Sequence, residues 1–182
     1  MKMKNKIICI VGESGCGKTT LANYLEDEHG IKPIKSRTTR PPRKEGERGH
    51  TFVSKEEFDE YDWSEMIAYT TYGDYEYCCL MSDVTDDYMT YVIDERGLLY
   101  LKLTYSHIFD IFVVRMFAPN YLRKKYTDKE RMLRDEDMFT LSEEHFDYFI
   151  ENDYRINVLK SKADRLVETI YKAQAHTMSD IS

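Results

Sequence analysis

The chain has 182 residues, 42% hydrophobic and 32% charged, with a formal net charge of −7. That length suits one well-buried domain with a small insertion or lid, and the acidic balance argues against general nucleic-acid binding, which needs a cationic face. No run approaches the roughly 20 apolar residues of a membrane span, and Cys9, Cys16, Cys78 and Cys79 lack C-x-x-C spacing, so they read as reduced thiols of a cytoplasmic protein.

The start, MKMKNKIICIV, is basic and then apolar, as in a secretion signal. It runs into glycines and Lys18 rather than a small-residue cleavage site, which argues against that role. Residues 6–11, KIICIV, predict a short buried strand. A helix follows from Lys18 to about Glu28, with Leu21, Tyr24 and Leu25 at helical spacing and Gly30 as its stop. Residues 31–36 predict a second strand. Ser54 and Glu57 have the spacing of a capping box for a short helix. Tyrosines and threonines around YGDY predict a hairpin over 66–80, and a short helix is expected at 82–89. TYVIDERG, residues 90–97, predicts a strand ending at Asp94, with Gly97 soon after. Residues 108–117 read as another buried strand, Pro119 opens a charged helical region to about 140, and DYFIEND is the last strand. Ser161 with Asp164 is expected to cap a final amphipathic helix carrying Leu166, Val167, Ile170 and Tyr171. Strands alternating with helices predict an α/β fold around a parallel sheet.

GESGCGKT, Gly12 to Thr19, fits G-x-x-x-x-G-K-[ST] between a buried strand and a helix. Successive backbone N–H groups of such a loop converge on a polyphosphate at a helix N-terminus. A lysine in the first turn opposes the helix dipole unless an anion sits there. Gly12, Ser14, Gly15, Gly17, Lys18, Thr19 and Thr20 are therefore the candidate donor-binding set, with Lys18 on the β- and γ-phosphates and Thr19 on Mg²⁺.

Residues 36–52, SRTTRPPRKEGERGHTF, carry six basic side chains including His50. Local basic clusters in an acidic protein point to a compact anionic ligand rather than a polymer. Arg40 and Arg43 lie three apart with prolines between, so the backbone there is stiff. Two guanidinium groups held this way suit a phosphate; a solvated basic loop is the bland alternative. Arg115, inside the apolar run VVRMF, is either at a strand edge or directed at a nucleotide.

SRTTRPPR followed by GERGHTFVSKEEF closely resembles the acceptor-binding segment of guanylate kinases. YVIDERG and FDYFIENDY resemble two further blocks of that family, so with the phosphate loop the likeness runs in order from about residue 6 to 154. It implies a P-loop NTPase core with a parallel sheet flanked by helices (about 1–35, 90–118 and 141–182). A small acceptor-binding α+β insertion (about 36–89) and a helical lid (about 119–140) complete the single domain. It also implies ATP and Mg²⁺, nucleotide substrates as the partners and a monomer or homodimer, with no nucleic-acid or membrane partner. By position, Ser36 would contact the base and Arg40 and Arg43 the acceptor phosphate. Asp94 would contact the acceptor nucleoside, or Mg²⁺ through a bound water. Arg123, Arg131 and Arg134 of the lid would neutralise charge on the moving phosphoryl group. Glu130 with Arg134 and Arg131 with Asp135 are also ordinary i, i+4 helix pairs.

The pattern departs at three places. His50 stands where the family has a tyrosine and can still donate a hydrogen bond. Ala68 falls at the guanine-reading glutamate, which puts base choice in play. The tyrosine of the family's Y-G-[ST] falls at Tyr77, before Cys78, or one residue away in another register. The kinase implied by the resemblance thus has GMP or dGMP as its first acceptor. A kinase of the same fold acting on a phosphorylated sugar and a non-catalytic guanylate-kinase-like binding module are the alternatives.

Overall fold

The computed structural model describes residues 4–136 and 140–179; the side chains of Arg134, Glu136 and residues 174–179 lie outside that description. In chain order the elements are β1 (Lys6–Val11), α1 (Lys18–His29), β2 (Ser36–Thr38), β3 (His50–Phe52), α2 (Lys55–Asp59), β4 (Met66–Tyr72), β5 (Tyr75–Leu80) and β6 (Tyr88–Val92). There follow α3 (Glu95–Tyr105), β7 (Asp110–Phe117), α4 (Asn120–Arg123), α5 (Lys129–Glu136), β8 (Tyr148–Glu151) and α6 (Ile156–Ser179).

Every residue of β1 is buried because its sheet is covered on both faces, which is why the strand reads as an unbroken apolar run. Ile8 and Ile10 face one way and pack with Leu21 and Leu25 of α1 and Leu166 and Ile170 of α6. Ile7, Cys9 and Val11 face the other way, against Leu98 and Leu101 of α3 and Val113 of β7. The strand order is β6-β1-β7-β8 and every pairing is parallel. All four strands therefore end at the same edge, where the phosphate loop, Asp94, Pro119 and Asn152 leave the sheet. Open parallel sheets bind ligands at that edge.

The insertion is a second sheet of order β3-β2-β5-β4, with β2 and β3 parallel and the other pairs antiparallel. Phe58, Met66, Cys78 and Leu80 form its own small core. Ile67, Ala68 and Cys79 instead join the cluster around Leu98 and Leu101, so the insertion is anchored on α3. Among the described residues no helix is long and apolar enough to cross a membrane.

Several elements differ from the sequence expectation. The strand expected at 31–36 is a single bridge, Pro33 to Thr90, closed by Ile34 N–H to Thr90 (2.7 Å) and Thr90 N–H to the Lys32 carbonyl (3.0 Å). Proline has no N–H to extend such a ladder. The helix expected at 82–89 is a 3₁₀ turn, Met81–Asp83, leading into β6. Asp83 holds that turn by accepting the Leu80 N–H (2.8 Å) and pairing with Arg37. Asp94 does not simply end a strand: it caps α3 by accepting the Gly97 N–H at 2.8 Å. The strand expected from 108 begins at Asp110, because the Ile108 and Phe109 N–H groups both close on the Tyr105 carbonyl. The last helix starts at Ile156, so Ser161 is not its cap; Asp164, inside it, accepts from the Tyr24 hydroxyl at 3.0 Å and ties α6 to α1. The Ser54–Glu57 capping box is formed in full. Within the predicted lid region, α4 and α5 are observed and residues 137–139 lie outside the described residues.

Candidate functional site

A cleft of about 910 Å³ opens at the common edge of the parallel strands. Gly12, Ser14, Gly15, Gly17, Lys18, Thr19 and Thr20 line one side; Ser36, Arg43, His50 and Tyr77 of the insertion line the other. Asp94, Ala68 and Tyr91 lie between them, and Arg131 and Asp135 reach it from α5. The volume is at the upper end for ligand clefts, enough for more than one small molecule.

β1 delivers the phosphate loop. Gly17 is the left-handed N-cap of α1 and, having no side chain, supplies no side-chain cap. The helix thus presents its start to the cleft as an anion-binding end. Asn152, leaving β8, donates from Nδ2 to the Cys16 carbonyl (2.9 Å) and fixes the back of the loop. Lys18 Nζ donates to the carbonyls of Gly12 (2.6 Å) and Glu13 (3.0 Å). Desolvation by burial pushes its pKa below the ordinary lysine value. Burial also pushes the Cys16 thiol up, so this cysteine is a packing group rather than a nucleophile.

The segment holding α4 and α5 meets the loop closely. Arg123 is buried; its Nε donates to the Ser14 carbonyl (3.0 Å), its Nη1 to Asn120 (3.0 Å) and its Nη2 to Asp135 Oδ2 (2.8 Å). Asp135 Oδ2 also accepts the Ser14 N–H (2.6 Å), and Oδ1 the Ser14 hydroxyl (3.1 Å). Tyr126 stacks on Tyr154, with ring centroids 4.6 Å apart and 10° between planes. Tyr154 has a left-handed backbone (φ 62°), held by the Asn152 side chain accepting its N–H (2.9 Å), and its hydroxyl donates to the Gly15 carbonyl. Arg131 lines the cleft. Arg134 is on α5, but its side chain is outside the described ones.

On the insertion side, Glu47 organises the basic stretch. It receives Arg40 Nη2 at 2.8 Å and Nη1 at 3.3 Å, and the Arg43 backbone N–H at 2.6 Å. Burial alone would raise its pKa; the bonds from Arg40 and Arg43 outweigh that and hold it at about 2. Arg40 itself is buried behind the cleft wall against Phe52, with no protein partner for its Nε. His50 packs edge-on to Phe52 and Tyr77, its Nδ1 buried without a partner. Burial, with Arg40 nearby, lowers its pKa, so the ring is neutral near pH 7. Ser36 donates to the Tyr91 hydroxyl (3.2 Å) and Thr70 to Asp94 (3.5 Å), while burial raises the Asp94 pKa. Arg115 pairs with Glu13 at 2.7 Å, which places it beneath the phosphate loop.

The structure thus brings together, around one cleft, the predicted residues of the phosphate loop, Ser36, Arg43, His50, Tyr77, Asp94 and Arg131, with Arg40 and Arg123 packed directly behind. Glu47 and Asp135 are the site residues that sequence reading passed over. A carboxylate between Arg43 and Arg48 was the available signal for the first; the second is a contact across 121 positions with no local signature.

The Glu47 clasp has a pH signature. Its folded pKa lies below the ordinary 4.5, so the clasp stabilises above that value and is lost as pH falls toward about 2. Glu47→Gln is expected to cost about 2 kcal/mol at pH 7, the size of one charge-assisted hydrogen bond, and to flatten the acid limb of stability. Thermal unfolding from pH 7 down to 3 checks both.

Comparison with known proteins gives the site a context. The family model described as guanylate kinase matches residues 4–169. The guanylate kinases of Neisseria gonorrhoeae (strain ATCC 700825 / FA 1090) and Neisseria meningitidis serogroup A are 50% identical to the chain over 60 residues, which is 31% of this chain. The matched stretch spans only 29% of the length of those relatives. The crystal structure of guanylate kinase from Anaplasma phagocytophilum aligns with a TM-score of 0.64 over 96% of this chain and 88% of that one. At 23% identity, that likeness is one of fold.

Proposed function

The chain belongs to the guanylate kinase family, and on that premise we propose that it transfers the terminal phosphoryl group of ATP to a nucleoside monophosphate, with GMP or dGMP as the first candidates. The observation that carries this reading is one cleft with an anion-binding helix start on one wall and, on the other, Arg43 and Glu47, with Arg40 clasped by Glu47 directly behind. Each wall suits one phosphate-bearing substrate.

The phosphate loop and Lys18 hold the donor; Lys18 has to leave the Gly12 and Glu13 carbonyls to reach its phosphates. Arg40 and Arg43, fixed by Glu47, receive the acceptor phosphate, with His50 and Tyr77 beside it. Ser36 faces the acceptor base, and Asp94 contacts the acceptor nucleoside. The acceptor oxygen is already anionic and needs no general base. Its bond to the terminal phosphorus forms as the bond from that phosphorus to the ADP oxygen breaks. Positioning and charge neutralisation carry the rate, the latter through Lys18 and the lid arginines Arg123, Arg131 and Arg134. No group of three His, Cys, Asp or Glu among the described residues could hold a metal alone. The exposed Thr19 at the cleft offers one oxygen, which fits Mg²⁺ shared with substrate phosphates rather than caged by protein. When bound there, the ion would neutralise phosphate charge.

Ala68 lines the cleft and offers the base no hydrogen-bonding side chain, while hydroxyls of Ser36, Thr70 and Tyr91 surround it. That lining favours a base choice looser than a carboxylate reader gives. The test is phosphotransfer from ATP·Mg²⁺ to a panel of ribo- and deoxynucleoside monophosphates and a phosphorylated sugar. Turnover of GMP or dGMP, alone or with other bases, is expected. Turnover of the sugar phosphate alone, or of no acceptor, overturns the reading.

A further inference from the structure

The phosphate loop already has an anion seated on it, supplied by the lid. Asp135 is only 6% exposed, and its carboxylate takes the Ser14 N–H, the Ser14 hydroxyl and Arg123 Nη2. These are the kinds of donor that a phosphate loop offers a phosphate: an inward backbone N–H, a hydroxyl and a guanidinium. An N–H directed at one carboxylate oxygen at 2.6 Å is committed to it and is not free for a second acceptor. Two anions cannot crowd into one buried seat without strong repulsion. Arg123 is committed in the same way, its three nitrogens bonded to Ser14, Asn120 and Asp135.

We infer that Asp135 is an internal competitor for the donor phosphates: the lid carboxylate docks on Ser14, and ATP binds by displacing it. The inference rests on the reading that this loop holds ATP. Displacement couples two events. The Ser14 N–H and hydroxyl pass to the donor, and the Arg123 fork loses its carboxylate partner and turns to the incoming phosphate. The Tyr126–Tyr154 stack and the Tyr154 hydroxyl on Gly15 keep the lid beside the loop while that exchange occurs. Asp135 thereby sets donor affinity and delays the release of Arg123 until a phosphate is present to meet it.

Two other roles for the same carboxylate make opposite predictions. A water-mediated ligand of Mg²⁺ would strengthen donor binding, and only when the metal is present. A purely structural partner of Arg123 would leave donor affinity unchanged or lower it when removed. The experiment is calorimetric titration of the full chain and of Asp135→Asn with ATP, with and without Mg²⁺. The variant is expected to bind ATP about tenfold more tightly in both conditions, the size of one competing charge-assisted hydrogen bond. Equal affinities, or weaker binding by the variant in either condition, overturn the inference. Binding by neither protein removes the donor reading itself, and the inference with it; binding by the variant alone supports both. Thermal unfolding establishes that the variant folds, and Asp135→Ala, read by the same titrations, replaces it if the asparagine form does not.

Discussion

Lys18→Ala is expected to lower phosphotransfer about a thousandfold, the loss found when one preorganised donor to a developing anion is removed. It should nevertheless leave the protein as stable as the parent, or more so. The two halves of this expectation come from one geometry. Lys18 is held inside the loop by the Gly12 and Glu13 carbonyls, where burial depresses its pKa. A lysine whose folded pKa lies below its unfolded value sheds affinity for its proton on folding. Its charged form therefore costs stability at neutral pH, and that cost fades as pH rises toward the ordinary lysine value. Alanine removes both the cost and two hydrogen bonds, and the balance is close to zero. Initial-rate assays at saturating ATP, paired with thermal unfolding at pH 7, read the two quantities separately. A variant within tenfold of parental activity would show that Lys18 does not carry transition-state charge.

The separation matters because several residues around the cleft are also structural. Asp94 caps α3 while lining the cleft, and Asn152 braces the phosphate loop while holding Tyr154 in its left-handed backbone. Substitution at either mixes the two effects. The hydrogen bonds of Lys18 go to carbonyls of its own loop, so its loss disturbs little packing and reports on chemistry.

Local signals account for what could be read from the sequence. The strand–loop–helix around GESGCGKT was legible because each part is a contiguous pattern, and the Ser54–Glu57 box because it spans four residues. The helix Glu95–Tyr105 was missed for the opposite reason: Gly97 in its first turn looks like a stop. A Cβ at Gly97 would lie 3.0 Å from the Ile93 side chain, a tight contact, and the Asp94 cap offsets the glycine's low helix propensity. At 82–89 the local pattern misled, because the Asp83 contact with Arg37 spans 46 positions. The Asp135 contact with Ser14 is of the same kind. Sequence spacing suggests that Asp135 pairs along its own helix with Arg131, whereas the structure bonds it to Arg123 and to Ser14 of the loop. Such non-local pairs assemble the walls of the cleft, and periodicity carries no record of them.

Gly12→Ala is expected to be strongly damaging, costing about 3 kcal/mol or more, the upper range for overpacking. The reason is proximity to a backbone atom that cannot turn away. β1 pairs in parallel with β7, Val11 beside Arg115, which carries Gly12 against the next residue. A Cβ on Gly12 would lie 2.0 Å from the Met116 carbonyl oxygen and 2.9 Å from Cys16 Sγ. The sulfur can rotate; the carbonyl belongs to a buried strand and cannot move unless β7 separates from β1. Gly30→Ala is the matching control. Gly30 has φ 68°, a conformation that an L side chain resists, yet a Cβ there would meet nothing within 4 Å. Its cost is conformational, about 1 kcal/mol. For a chain of this length each kcal/mol shifts the unfolding midpoint by roughly 2–4 °C. Gly12→Ala should therefore unfold some 6–12 °C below the parent, and Gly30→Ala within about 4 °C of it. Equal shifts would mean that backbone conformation, not the approach of β7, governs the loop. A large shift for Gly12 alone would show that the phosphate loop is shaped by the strand beside it, and that the position admits glycine for want of room.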